Sequence, residues 1–175
     1  MLARVARAFV VLAVAAAAAT GCVGSPEPRE TTPTPLTDEQ AFAAAEETYR
    51  AYIDALNHVD LSDPTTFEPV YAWTQGSFEA DERRSLSEMH ADRWTISGSS
   101  VLAHTEAIAV TPTGSVRLEV CVDVSQVRLL DTDGNSVAAS DRPDMQELEI
   151  ELTPASTDTG YAVSESAGAQ RDLQC

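Results

Sequence analysis

The chain has 175 residues, and 28 Asp and Glu stand against 11 basic residues, every one an arginine, for a formal net charge of −17. So acidic a surface repels phosphate backbones and anionic headgroups, which excludes nucleic acid as a partner. Solubility is the simplest reason for the charge, ahead of an acidic docking surface.

The first residues read as an export signal. Arg4 and Arg7 give a positive start, and no acidic residue precedes Glu27. Ala8 to Ala19 is wholly apolar, too short for a span of about 20 residues but the right length for a signal-peptide core. Ala19-Thr20-Gly21-Cys22 then resembles the bacterial lipobox, small residues directly before a cysteine. That resemblance implies cleavage after residue 21 and a diacylglycerol on the Cys22 thiol. Two acyl chains hold a protein stably, at about 0.8 kcal/mol per buried CH2, where one holds it marginally. The separated arginines give no twin-arginine signal. Loss of Arg4 and Arg7 would leave nine arginines against 28 acids, a formal charge of −19. From Val23 to Leu36, Pro26, Pro28, Pro33 and Pro35 alternate with Glu, Thr and Ser. Residues 22–36 therefore read as a lipidated cysteine with a stiff tether, which at about 3.1 Å per residue reaches about 40 Å.

Residues 37–175 have the length of one domain, and the order is helices first, strands after. Thr37-Asp38-Glu39-Gln40 is a capping box. Phe42, Ala45, Tyr49, Tyr52, Ile53 and Leu56 recur at helical spacing, predicting a first helix of about six turns. Asp63-Pro64 starts a second, short helix that Pro69 interrupts, with Val70, Tyr71 and Trp73 as its apolar content. Ser77 opens a third through Phe78, Leu86 and Met89, with Glu79, Asp81 and Glu82 near its positive end. After Asp92 the period becomes two. Trp94, Ile96 and Val101 mark a strand bent near Gly98, and Ala107 to Val110 a second, ended by Thr-Pro-Thr-Gly. Val116, Leu118, Val120, Val122 and Val124 alternate with Arg117, Glu119, Cys121 and Asp123, a half-buried strand continuing towards Leu130. Asp133-Gly134 reads as a hairpin turn. Leu148, Ile150 and Leu152 alternate with Glu147, Glu149 and Glu151, and Tyr161 and Val163 lie in the last strand.

Of three cysteines, Cys22 is taken by lipid, so Cys121 and Cys175 remain as one possible pair in an oxidising compartment. The expected disulfide would draw the polar tail across the less apolar sheet face, because Cys121 lies opposite Val120 and Val122.

The order of elements resembles the nuclear-transport-factor-2-like fold, a cone-shaped, cystatin-like α+β class with helices on a curved, mostly antiparallel sheet. More narrowly, the chain is similar to small actinobacterial lipoproteins of that class. The likeness rests on Cys22, Trp94-Thr95-Ile96-Ser97-Gly98, Val120-Cys121-Val122-Asp123-Val124-Ser125 and Leu130-Asp131-Thr132-Asp133-Gly134. It implies a pocket between the first helix and the concave sheet face, but no activity, since the class includes isomerases, dehydratases, transport adaptors and binding domains.

No catalytic, cofactor or metal constellation stands out. With Gly134 at the sixth position of a calcium loop, the first and twelfth ligands would be Leu129 and Ser140, so a turn is the better reading. His58, His90 and His104 lack zinc-site spacing, Gly98-Ser99-Ser100 lacks the glycines of a nucleophile elbow, and Arg83-Arg84 reads as a solvated helix face. For an isomerase- or hydro-lyase-like enzyme the available groups are Asp54, His58, Tyr49, Tyr52, Asp123 and His104. Their ordinary roles are a helix cap for His58 and core positions for the tyrosines. Two readings stay open: a non-catalytic extracytoplasmic domain, lipid-anchored at the cell membrane, that binds an envelope protein or a small apolar ligand, and an enzyme using the pocket of the cone. A pocket holding a buried Asp or His opposite a Tyr would favour the enzyme; a filled cone or a flat apolar patch would favour interaction.

Overall fold

The computed structural model describes residues 36–171 together with Leu173 and Cys175. The expected leader, Cys22 and nearly all of the tether lie outside the described residues.

Helix α1 spans Asp38–Asn57. Its capping box is closed: the Thr37 hydroxyl accepts from the Gln40 amide at 3.3 Å, and the Thr37 amide donates to Gln40 Oε1 at 2.9 Å. Two of the four free N–H groups at the helix start are thereby satisfied. Ala41, Ala45, Tyr49, Tyr52 and Ile53 form the buried stripe, with Phe42 and Leu56 packed at its margin. A 3-10 turn, Pro64–Phe67, leads into the four-residue α2, Glu68–Tyr71. Pro69 does not interrupt this helix. It sits in the first turn of α2, where its missing N–H costs no hydrogen bond. Helix α3 is Gly76–Ala91. It ends with Arg93 in the left-handed region (φ 57°), as the Trp94 amide reaches back to the Met89 carbonyl at 3.0 Å.

The six strands are β1 Thr95–Ser97, β2 Val101–Val110, β3 Val116–Asp123, β4 Arg128–Leu130, β5 Met145–Pro154 and β6 Tyr161–Gly168. The main sheet is antiparallel in the order β2-β3-β5-β6, and β1 pairs with β4 in a separate two-stranded sheet. Two expectations change here. Gly98 does not bend one strand; it separates two that belong to different sheets. It adopts φ +81° and lies so close to the Gln126 carbonyl that a Cβ would stand 1.9 Å from that oxygen. Only glycine fits there. The segments read as Val101 and as Ala107 to Val110 are one ten-residue strand, whose bulges near Leu102/His104 and Ala107/Ala109 break the alternation. The continuation from Val124 to Leu130 is likewise interrupted, and Arg128–Leu130 turns away to pair with β1. Asp133-Gly134 forms the expected tight turn, with the Asp131 carboxylate accepting the Asp133 and Asn135 amides at 2.9 Å each. It closes on a single bridge, Leu130 to Ser136.

The helices cover one sheet face. Val116, Leu118, Val120 and Val122 of β3 and Ile150 and Leu152 of β5 meet α1 there and form the core. The β6 edge is closed by the α2–α3 connection: Val163 donates to the Trp73 carbonyl and Gln75 to the Val163 carbonyl, both at 2.9 Å. Over the opposite face runs the C-terminal tail. Cys175 is joined to Cys121 by a disulfide with Cα atoms 5.8 Å apart, the Ala169 amide donates to the Glu147 carbonyl at 2.9 Å, and the Leu173 amide donates to the Glu147 carboxylate at 3.1 Å. Among the described residues no helix is long and apolar enough to cross a membrane.

Candidate functional site

Between α1, α3 and the β1–β2 connection lies a cavity of about 360 Å³, at the lower end of the range for ligand pockets. Its walls are mostly apolar. Leu56 comes from the end of α1 and Val59 from just beyond it, Leu86 and Met89 from α3, and Ile96 and Val127 from the small sheet and its approach. A smaller hollow of about 250 Å³ adjoins it towards β3 and β5, and Tyr52, Leu56, Glu82 and Ser100 line both.

Glu82 and Tyr52 are the chemical centre of this space. Tyr52 is buried on the α1 stripe, with its ring 5.8 Å from the rings of Tyr49 and Phe78. Glu82 projects from α3 into the same space as Tyr52. Burial raises the Glu82 carboxyl above the ordinary glutamate value; the nearby Tyr52 hydroxyl opposes this, and neighbouring Asp81 adds to the rise. Burial pushes the Tyr52 phenol well up, and the Glu82 charge pushes it further. Taking a carboxylate out of water without a counter-charge is costly. The adjacent arginines are committed elsewhere: Arg83 to Glu79 at 2.8 Å and over the Tyr71 ring at 3.8 Å, Arg84 to Asp81 at 2.6 Å. The Asn57 side chain is also engaged, donating to the Ser100 carbonyl at 2.9 Å and accepting from its amide at 2.8 Å. That pair ties the end of α1 to the loop at the cavity mouth.

Of the groups named from the sequence, Tyr52 faces the main cavity and Tyr49 the hollow beside it. The others lie elsewhere. Asp54 and His58 are about three-quarters exposed on α1 and interact with each other, and the His58 ring lies 2.7 Å from the Asp54 carbonyl at the helix end. The Asp123 carboxylate accepts the Ser125 amide at 2.8 Å, His104 is exposed on β2, and the His90 ring lies 2.7 Å from the Leu61 carbonyl. Glu82 was assigned to the charged start of α3, and the structure corrects this. The overlooked signal is its spacing, four residues after Phe78 and four before Leu86, which places it on the apolar stripe.

A second cavity of about 350 Å³ lies beside Asp60, Ser62 and Trp94. Its one carboxylate is already satisfied, since Asp60 accepts the Ser62 amide at 2.8 Å and hydroxyl at 2.7 Å. Among the described residues no group of three or more His, Cys, Asp or Glu is gathered to hold a metal ion.

No family model matches the chain, and no curated protein matches its sequence. Among solved structures, the intermembrane-space region of the chloroplast protein ARC6 is similar at a TM-score of 0.51 and 12% identity, over 77% of this chain and 98% of that one. CagV, a VirB8 homologue of the T4SS of Helicobacter pylori strain 26695, gives a TM-score of 0.46 and 11% identity over 73% and 99%. VirB8 of Agrobacterium tumefaciens gives 0.42 and 9% over 80% and 98%. At 12% identity the likeness to the ARC6 region is one of fold. The fold is the expected α+β arrangement, with N-terminal helices packed on a mostly antiparallel sheet.

Proposed function

We propose that this chain is a non-catalytic, extracytoplasmic binding domain, held at a membrane by a diacylated Cys22, that takes a small and mostly apolar molecule into the cavity between α1 and α3. The organisation is a leader over residues 1–21, a lipidated cysteine and tether over 22–36, and one domain over 37–175, as in small actinobacterial lipoproteins. The observation that carries the binding reading is the cavity itself, apolar walls around one carboxylate–hydroxyl pair. A few convergent polar groups in an apolar pocket is the general form of a small-molecule site. An envelope protein partner is less well served: among the described residues, Leu36 and Val101 are the large apolar side chains left exposed, and they make no continuous patch of the kind docking surfaces show.

The neutral apolar dye Nile red tests the cavity. The full chain should enhance its fluorescence, and Ser85→Trp, which places an indole in the cavity, should remove most of the enhancement; an equal signal from the variant contradicts the reading. The anchor is tested separately by fractionation. Cys22→Ser should leave the membrane fraction, and its full retention there would refute lipid attachment.

A second reading, proton transfer on an apolar substrate, is favoured by one observation: a carboxyl, Glu82, that lines the same apolar cavity as the buried Tyr52. General bases are tuned by burial in this way. It requires turnover that stops in Glu82→Gln, whereas the binding reading requires none.

A further inference from the structure

We propose that the molecule taken by this cavity is an organic cation, an apolar body carrying a protonated amine that pairs with Glu82. The inference rests on the binding reading above and adds the charge of the ligand. Neither the cavity nor its adjoining hollow is lined by an arginine or histidine, and the chain has no lysine. Glu82 is thus the one charged side chain on these walls, and the Tyr52 side chain that shares both walls with it is neutral. A carboxylate has about four acceptor sites to offer a ligand. An ammonium brings three donors and the missing positive charge together, and charge-assisted pairs of this kind are the strong ones. Ser85 and Ser100 also line the cavity and bring hydroxyls to it for the remaining ammonium protons.

Two further features point the same way. Leu56, Leu86, Met89 and Ile96 line the same cavity and fit a hydrocarbon body, with polarizable methionine able to adapt to its shape. The whole molecule carries −17, so its field concentrates cations at the mouth and repels anions. The neighbouring acids Asp81 and Glu79 are held by Arg84 and Arg83 on the outer side of α3, so Glu82 is the carboxylate left for a ligand inside.

The test uses three probes of matched shape: 2-(4-fluorophenyl)ethylammonium, 2-(4-fluorophenyl)ethanol and 3-(4-fluorophenyl)propionate. Each is titrated by fluorine NMR at neutral pH against the full chain in zwitterionic lipid nanodiscs, with empty discs as blank. The ammonium should bind about tenfold more tightly than the alcohol, the scale of one good charged contact, and the propionate should not bind. Glu82→Gln should bring the ammonium down to the level of the alcohol, and Ser85→Trp should block both. Equal affinity for ammonium and alcohol, both blocked by Ser85→Trp, overturns the cation while the cavity stands. A preference that survives Glu82→Gln also overturns it, since the attraction would then belong to the acidic surface. Absence of binding by all three overturns the cavity reading and the cation together.

Discussion

Along β3 the two faces of the sheet are both buried, and by different means. Val116, Leu118, Val120 and Val122 point into the helix-packed core and are held by apolar contact alone. Glu119 and Cys121 point the other way, yet are 4% and 1% exposed. Their cover is the C-terminal tail. Arg171 donates to Glu119, with a second contact to Glu106 at 3.0 Å, and the disulfide fixes Cys175 beneath the strand. Glu106 and Glu119 are direct cross-strand partners, an arrangement that is repulsive without a cation between them. The inner face stays closed because water is a poor alternative for its side chains. The outer face stays closed because a covalent bond and one arginine hold a polar strap in place.

The largest effect should come from removing that bond. Cys121→Ala/Cys175→Ala, or reductant, should cost about 4 kcal/mol in urea denaturation, by the loop-entropy relation for a separation of 54 residues. A loss near zero would mean that the tail is held by its other contacts. On the inner face, Leu118→Ala should cost about 3 kcal/mol as a cavity substitution. The comparison predicts that this cost is the same with and without reductant, because the faces do not share partners; a difference above about 0.5 kcal/mol would show them coupled. Arg171→Ala should destabilise less than loss of the disulfide, and high salt should shrink that smaller loss further, as Arg171 is half-exposed. A loss insensitive to salt would indicate packing by its stem instead.

One carboxylate, Glu82, lines the cavity on the inner side, and there the expected effect is smallest and opposite in sign. The Glu82 carboxyl is raised in the folded chain. A raised group stabilises the fold fully below its ordinary value, and that contribution is lost as the pH climbs through the folded value. Glutamine does not ionise, so Glu82→Gln should equal the wild type near pH 4 and melt higher than it at about pH 8. The same melting temperature at both pH values would show that Glu82 is not strained by burial.

The two faces were also unequally legible. Alternation from Val116 to Val124 assigned every side chain of β3 to its face, and the capping box at Thr37 and the stripe through Tyr49, Tyr52 and Ile53 located α1, because local periodicity and capping decide those features. The strand limits around Gly98 were not legible. The break there depends on the approach of the Gln126 carbonyl, a contact between residues 28 apart in the sequence. Glu82 was hidden for a related reason. An acid in the first two turns of a helix ordinarily complements the dipole in water, and nothing local to α3 shows that Tyr52 of α1 stands opposite. Its place between Phe78 and Leu86 was the one clue in the sequence.

The inner face is distinguished above all by the space it leaves, and amide chemical-shift mapping with 2-phenylethanol tests that most directly. Shifts should appear at Tyr52, Leu56, Glu82, Leu86 and Ile96, saturate with probe concentration, and vanish in Ser85→Trp. Glu119, Glu147 and Ala169 on the tail-covered face should not move. Saturable shifts on that outer face, or none around Glu82, would contradict the assignment of the cavity as the binding site.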